Sequence, residues 1–178
     1  MTLRRHPDIE VLASRTEFRG RVFEVVTQEL RLPSGLRQKV DLVEHGGATA
    51  IVARDDDGRV LLVRQYRAAA SDWMIEIPAG RLEPGEDPLV CAQRELEEET
   101  GYRADDWKLL RAFLPATGFC SEVIHLFEAR GLHAVPGGGA ACDDDEELEV
   151  LWRAPEELLA DDVTDGKTLL AGALLLRR

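Results

Sequence analysis

Residues 80–102 read GRLEPGEDPLVCAQRELEEETGY, the most informative segment of the chain. Asp87 supplies an N-cap, Pro88 a tolerated first-turn proline, and Gly101 a stop, so the spacing predicts a helix over 88–100. Leu89, Ala92, Leu96 and Thr100 recur at helical spacing and give that helix its core-facing stripe. On such a helix Glu95 lies three residues from Glu98 and four from Glu99, which puts the three carboxylates on one face. They repel one another, and the sequence shows no lysine or arginine placed at i+3 or i+4 to relieve them. A hard divalent cation among the oxygens would do so, and Mg²⁺ favours few carboxylates, several waters and substrate phosphates. Arg94, beside the cluster, could orient the carboxylates through charge-assisted hydrogen bonds.

The plain alternative is a solvated acidic helix face. Taken as seven independent positions at average composition, the pattern Gly80, Glu86, Arg94, Glu95, Glu98, Glu99, Gly101 arises with a chance on the order of 10⁻⁹ to 10⁻⁸ per start. Helical bias accounts for glutamates, but not for the flanking glycines and the arginine.

Outward from this segment the chain alternates strand and turn. Residues 20–31 and 36–45 read as a hairpin around Pro33-Ser34-Gly35. Residues 49–53 and 60–65 read as a second hairpin around Asp55–Gly58. Short strands are expected at 73–77, 109–113, 123–128 and 148–152, and helices at 155–160 and 167–176. The expectation is one mixed α/β domain over 48–178, preceded by a β extension over 1–47.

The composition sets limits on function. The 178 residues carry 22 basic and 34 acidic side chains, a formal charge of −12. Such a chain repels nucleic-acid polymers and anionic membranes, so an anionic ligand needs a metal or a local arginine to reverse the field. The three cysteines, Cys91, Cys120 and Cys142, make an odd count without a CxxC pair, for which a reducing cytoplasm is the simplest setting. The start, MTLRRHPDIE, has charges without an apolar stretch, so no signal peptide is expected. Serine or cysteine hydrolysis finds little support: Ser121 and His125 exist, but no GxSxG elbow does, and Cys91 falls on the helix's core stripe. His45 and His125 read as strand-edge hydrogen-bonding groups rather than metal ligands.

The segment 80–102 resembles the Nudix box, Gly-x5-Glu-x7-Arg-Glu-U-x-Glu-Glu-x-Gly-U, where U is bulky and aliphatic. Only the final position departs, with Tyr102 there. The resemblance implies an α/β fold, a mixed β-sheet between helices, with the box as strand, loop and helix. It implies Mg²⁺, with Mn²⁺ as the alternative, held by Glu95, Glu99 and the backbone carbonyl of Ala79. Glu98 would hold metal-bound water or act as a base, Arg94 would orient the carboxylates, Gly80 would support the loop, and Glu86 would support the loop or a further metal. The implied reaction is attack of water on a diphosphate.

Outside the box, VRQYR (63–67), IEIPAG (75–80), TGFCSE (117–122) and EELEVLW (146–152) resemble the ADP-ribose pyrophosphatase branch. That likeness implies a nucleoside diphosphate sugar as substrate, with ADP-ribose cleaved to AMP and ribose 5-phosphate. It implies a homodimer built through the N-terminal extension, Arg67 on substrate phosphate, Glu146 as a loop-borne general base and Glu122 as a further carboxylate at the site. Arg64 is a weaker phosphate candidate, and Phe18 or Phe23 could stack on a base, although an aromatic in such a strand is more often core. Thr117 stands where that branch usually has proline, which ties the likeness to nucleotide sugars more than to ADP-ribose itself. GDP-sugars, dinucleoside polyphosphates, FAD and coenzyme A are the alternative substrates, and a non-catalytic nucleotide-binding module is the alternative role.

Overall fold

The structure, a computed structural model, describes residues 6–136 and 147–177. Glu146, Cys142 and the triple glycine at 137–139 lie outside the described residues. The chain divides into two compact units, Met1–Gly47 with Phe113–Ile124, and Ala48–Ala112 with His125–Arg178.

In the first unit, β1 (Glu10–Arg19), β2 (Glu24–Arg31) and β3 (Arg37–Glu44) form a three-stranded antiparallel sheet in that order. The expected hairpin is β2–β3. Its turn closes through Gly35 N–H on the Leu32 carbonyl and Leu32 N–H on that of Leu36. Strand β1 is an addition that the apolar pattern does not announce, because nearly all its side chains are exposed. Backbone pairing with β2 holds it, with two register shifts, and Arg31 reaches across to Glu10 at 2.7 Å. The segment 113–124 attaches where Val43 N–H donates to the Phe119 carbonyl and Ser121 N–H donates to that of Val43. Phe18 and Phe23, read either as core or as base-stacking rings, are not core: both are exposed and lie against each other with centroids 6.3 Å apart.

The second unit holds two sheets. One is ordered β7 (Ala79–Arg81), β4 (Ala48–Ala53), β9 (Ile124–Ala134), β8 (Tyr102–Phe113), and the other β10 (Leu148–Arg153), β5 (Val60–Arg67), β6 (Asp72–Glu76). The hairpin expected from 49–53 and 60–65 therefore does not form as such. Strands β4 and β5 join different sheets, linked by a single bridge between Arg54 and Val60. Every residue of β4 is buried, so its run ATAIVA carries no alternation from which a partner could be read. Strands β8 and β9 extend well beyond 109–113 and 123–128.

The helix α1 (Pro88–Thr100) matches its sequence signals. The Asp87 carboxylate accepts from Leu89 N–H at 2.8 Å, and Gly101, at φ 72°, ends the helix by donating to the Glu97 carbonyl. Its stripe enters a cluster of Ile51, Ala53, Leu61, Ala92, Leu96, Phe127 and Ala129, ringed by Leu89, Tyr102, Trp107 and Trp152. This packing holds α1 over β4 and β7. A 3₁₀ turn at Pro155–Leu159 replaces the first of the two expected C-terminal helices, and α2 (Gly166–Leu175) packs against it. Among the described residues no helix is long and apolar enough to cross a membrane.

Leu96 is fully buried at the centre of that cluster. Leu96→Ala should lower unfolding free energy by about 2–5 kcal/mol, read from urea denaturation midpoints.

Candidate active site

Strand β7 runs antiparallel to β4, with Gly80 opposite Thr49 and Ala79 opposite Ala50. This fixes the backbone on which the carboxylates of α1 converge. A Cβ built on Gly80 would stand 1.8 Å from the Glu95 carboxyl carbon, so only glycine admits that carboxylate. Glu99, buried on the same side, accepts the Ala79 N–H at 3.0 Å.

Arg94 ties the remaining carboxylates together. Its Nη1 donates to Glu95 Oε1 at 2.7 Å and to Glu98 Oε2 at 2.9 Å. Its Nε and Nη2 fork onto Glu86, both at 3.1 Å, and Nη2 also donates to the Arg81 carbonyl at 3.2 Å. Contrary to the expectation of an unrelieved acidic face, Arg94 is the relieving cation. Arg94 stands four residues before Glu98, within reach on the helix surface. Glu86 further accepts Glu83 N–H at 2.9 Å, which closes the loop ahead of the helix. The Arg94 hydrogen bonds hold the Glu86 carboxyl down to about 2, and Glu86 in turn raises the Arg94 pKa.

Arg67 emerges from β5 on the face it shares with Val63 and Gln65, and forks onto Glu76 of β6 through Nε at 2.9 Å and Nη2 at 2.8 Å. Arg64 belongs to the other face, over the Trp73 ring at 4.9 Å and beside Glu149. Glu76 is 3% exposed and takes a second cation, Lys167 Nζ, on Oε2. Burial pushes the Glu76 carboxyl up, but Arg67 and Lys167 outweigh it and leave the group below the usual carboxylate range. Sequence reading quoted Glu76 and assigned it no role, and it missed Lys167, Asp165 and Thr168. Asp165 caps α2, accepting from Thr168 N–H at 2.9 Å and from Thr168 Oγ1 at 2.6 Å, an N-cap signal visible in Asp-Gly-Lys-Thr. Thr168 Oγ1 in turn accepts Ile77 N–H at 2.9 Å, just ahead of Pro78 and Ala79.

Glu122 belongs to the first unit, 3.6 Å from His45 Nδ1. There His45 N–H donates to Ser121 Oγ, so that hydroxyl meets a backbone amide rather than an imidazole. Burial pushes the Cys91 thiol up to about 11, which removes it as a nucleophile.

Among the described residues no three His, Cys, Asp or Glu side chains form a ready-made metal cage. The donor set suits Mg²⁺ nevertheless, since that ion takes one or two carboxylates and completes its shell with water and phosphate. Glu95 and Glu99, both held against the Ala79–Gly80 backbone, offer those hard oxygens.

A model of the NUDIX domain matches residues 44–171. Over 158 residues the chain is 39% identical to a methanol dehydrogenase activator from Bacillus methanolicus, covering 86% of this chain and 85% of the relative. Over 166 residues it is 37% identical to an ADP-ribose pyrophosphatase from Bacillus subtilis, covering 91% of this chain and 89% of the relative. A crystal structure of an ADP compounds hydrolase matches in fold, with a TM-score of 0.82 over 98% of this chain and 96% of that one, at 24% identity.

The Glu86–Arg94 contact gives acid stability a definite sign. The folded carboxyl titrates near 2, whereas an unfolded one titrates near ~4.3, so the unfolded chain binds the extra proton as pH falls between them. The contribution is whole above that window and fades as pH drops through it. Urea midpoints of wild type and Glu86→Gln should differ most above about pH 5 and converge toward pH 2. A gap independent of pH would show that the charge of Glu86 adds nothing.

Proposed function

This chain belongs to the Nudix family, and on that premise we propose that it hydrolyses the pyrophosphate bond of a nucleoside diphosphate sugar with Mg²⁺. The substrate of first choice is ADP-ribose, giving AMP and ribose 5-phosphate, in keeping with the ADP-ribose pyrophosphatase relative. The observation that carries the reading is the convergence of Glu86, Glu95 and Glu98 on one guanidinium while Glu99 is tied to the backbone of Ala79.

In this reading the Ala79 carbonyl, Glu95 and Glu99 hold the Mg²⁺, which when bound neutralises diphosphate charge and polarises phosphorus. The chain, at −12, repels a pyrophosphate without such a cation. Glu98, the most exposed carboxylate on Arg94, has the access to solvent that a base or a water-holding group needs. Arg94 keeps Glu95 and Glu98 in fixed rotamers, so they need not reorganise when substrate arrives. Arg67, forked onto Glu76 through Nε and Nη2, is the guanidinium that this reading assigns to substrate phosphate. Glu146 is retained as a candidate base and Glu122 as a secondary carboxylate. Self-association through the first unit is the matching proposal for quaternary structure. It is supported by Phe18, Val22 and Phe23, which that unit leaves exposed.

With Mg²⁺, ADP-ribose should yield AMP and ribose 5-phosphate by chromatography, and EDTA should abolish the reaction. A panel of GDP-mannose, dinucleoside polyphosphates, FAD and coenzyme A should turn over more slowly. No turnover of any of them by folded protein would sink the reading. Gly80→Ala should displace the Glu95 carboxylate and cost about 10²-fold or more in kcat/KM, with the melting temperature little changed, because the clash falls on a side-chain end. Sedimentation at micromolar protein should give a dimer, and a purely monomeric species would count against the association.

A further inference from the structure

The run Asp165-Gly166-Lys167-Thr168 opens α2 and meets the site at two points. Thr168 Oγ1 holds the Ile77 amide, and Lys167 Nζ donates to Glu76 Oε2. Glu76 therefore carries two cations of unequal standing. Lys167 is 11% exposed and fixed between Glu76 and Asp165, whose Oδ1 lies at 3.0 Å. The Arg67 side chain is 40% exposed, with Nη2 2.8 Å from the same Oε2. Arg67 also feels Glu99, the carboxylate tied to Ala79, which places its guanidinium within electrostatic reach of the metal helix.

A buried carboxylate with a single cation grips it, because withdrawing the cation strands an uncompensated charge. A second cation on the same oxygen lowers that obstacle, because the other carboxylate on Lys167, Asp165, is itself held by Thr168 N–H and Oγ1 at the start of α2. Lys167 stays on Glu76 while Arg67 turns its charge to another anion. We infer that Lys167 is a positioning residue which, by compensating Glu76, leaves Arg67 available to the phosphates of the substrate. The inference rests on the reading of Arg67 as the phosphate contact. The geometry makes Lys167 act only through Glu76, and that condition is what separates it from a lysine needed merely for folding.

The test compares wild type, Lys167→Met, Glu76→Gln, the Glu76→Gln/Lys167→Met double variant and Arg67→Ala. The substrate is the nucleotide that the panel above shows to be turned over fastest. Lys167→Met should raise KM about tenfold or more with kcat within about threefold, because a binding contact is lost and the reacting groups are not. With glutamine at 76 the lysine has no carboxylate to compensate, so the double variant and Glu76→Gln should share one KM. A double variant with KM about tenfold above that of Glu76→Gln overturns the inference, and this comparison stands even if Lys167→Met alone does not fold. So does a Lys167→Met that lowers kcat and spares KM. If Arg67→Ala raises KM and Lys167→Met does not, the inference fails and the phosphate role of Arg67 survives. If Arg67→Ala leaves KM within about twofold, that role falls and the inference with it.

Discussion

One guanidinium organises the candidate site. Arg94 donates to Glu86, Glu95, Glu98 and the Arg81 carbonyl, so a single side chain joins the loop ahead of α1 to the acidic face of the helix. Three carboxylates gathered this closely would otherwise repel, and each would spend much of its time turned toward water. The planar fork of arginine meets several oxygens in fixed directions, which a lysine ammonium does not do. The loop and the helix thereby share one geometry, and Gly80 leaves room for the Glu95 carboxylate to complete it.

The same arrangement explains why a strongly acidic protein can act on an anion. Glu95 and Glu99 present hard oxygens against the backbone of Ala79 and Gly80, and that backbone is fixed from two sides. Pairing with β4 holds it on one side, through Ala50 and Thr49. From the other side the opening of α2 holds Ile77, two residues before Ala79. A cation placed there would reverse the local field that a diphosphate meets in the proposed reaction. Arg67 adds positive charge that Glu76 would otherwise neutralise, and the second cation on Glu76 bears on how much of that charge remains.

The parts of the molecule differ in how far the sequence reveals them. The helix α1 was legible to the residue, because Asp87, Pro88 and Gly101 act locally and the stripe of Leu89, Ala92 and Leu96 follows the helical period. The carboxylate group was legible for the same reason, since Glu86 to Glu99 span a loop and one helix. Strand β1 was not, because its exposed residues carry no apolar alternation and its partner is chosen by backbone pairing. Strands β4 and β5 looked like a hairpin because they are adjacent in sequence. Burial then sent each into its own sheet, where β5 pairs with β6 and β10.

The family and the acidic helix could thus be read from the chain alone, and so could the one face shared by the carboxylates proposed to hold a divalent cation, since these depend on one loop and one helix. The tertiary structure alone decided what neutralises them and what surrounds them. The Arg94 side chain had to fold back over the loop to reach Glu86. The Glu76–Lys167 and Ile77–Thr168 contacts each join residues 91 apart, a separation no local period records. Such pairings form only when burial brings a strand and a distant helix end together, and a buried carboxylate then has to find its cations wherever the fold places them.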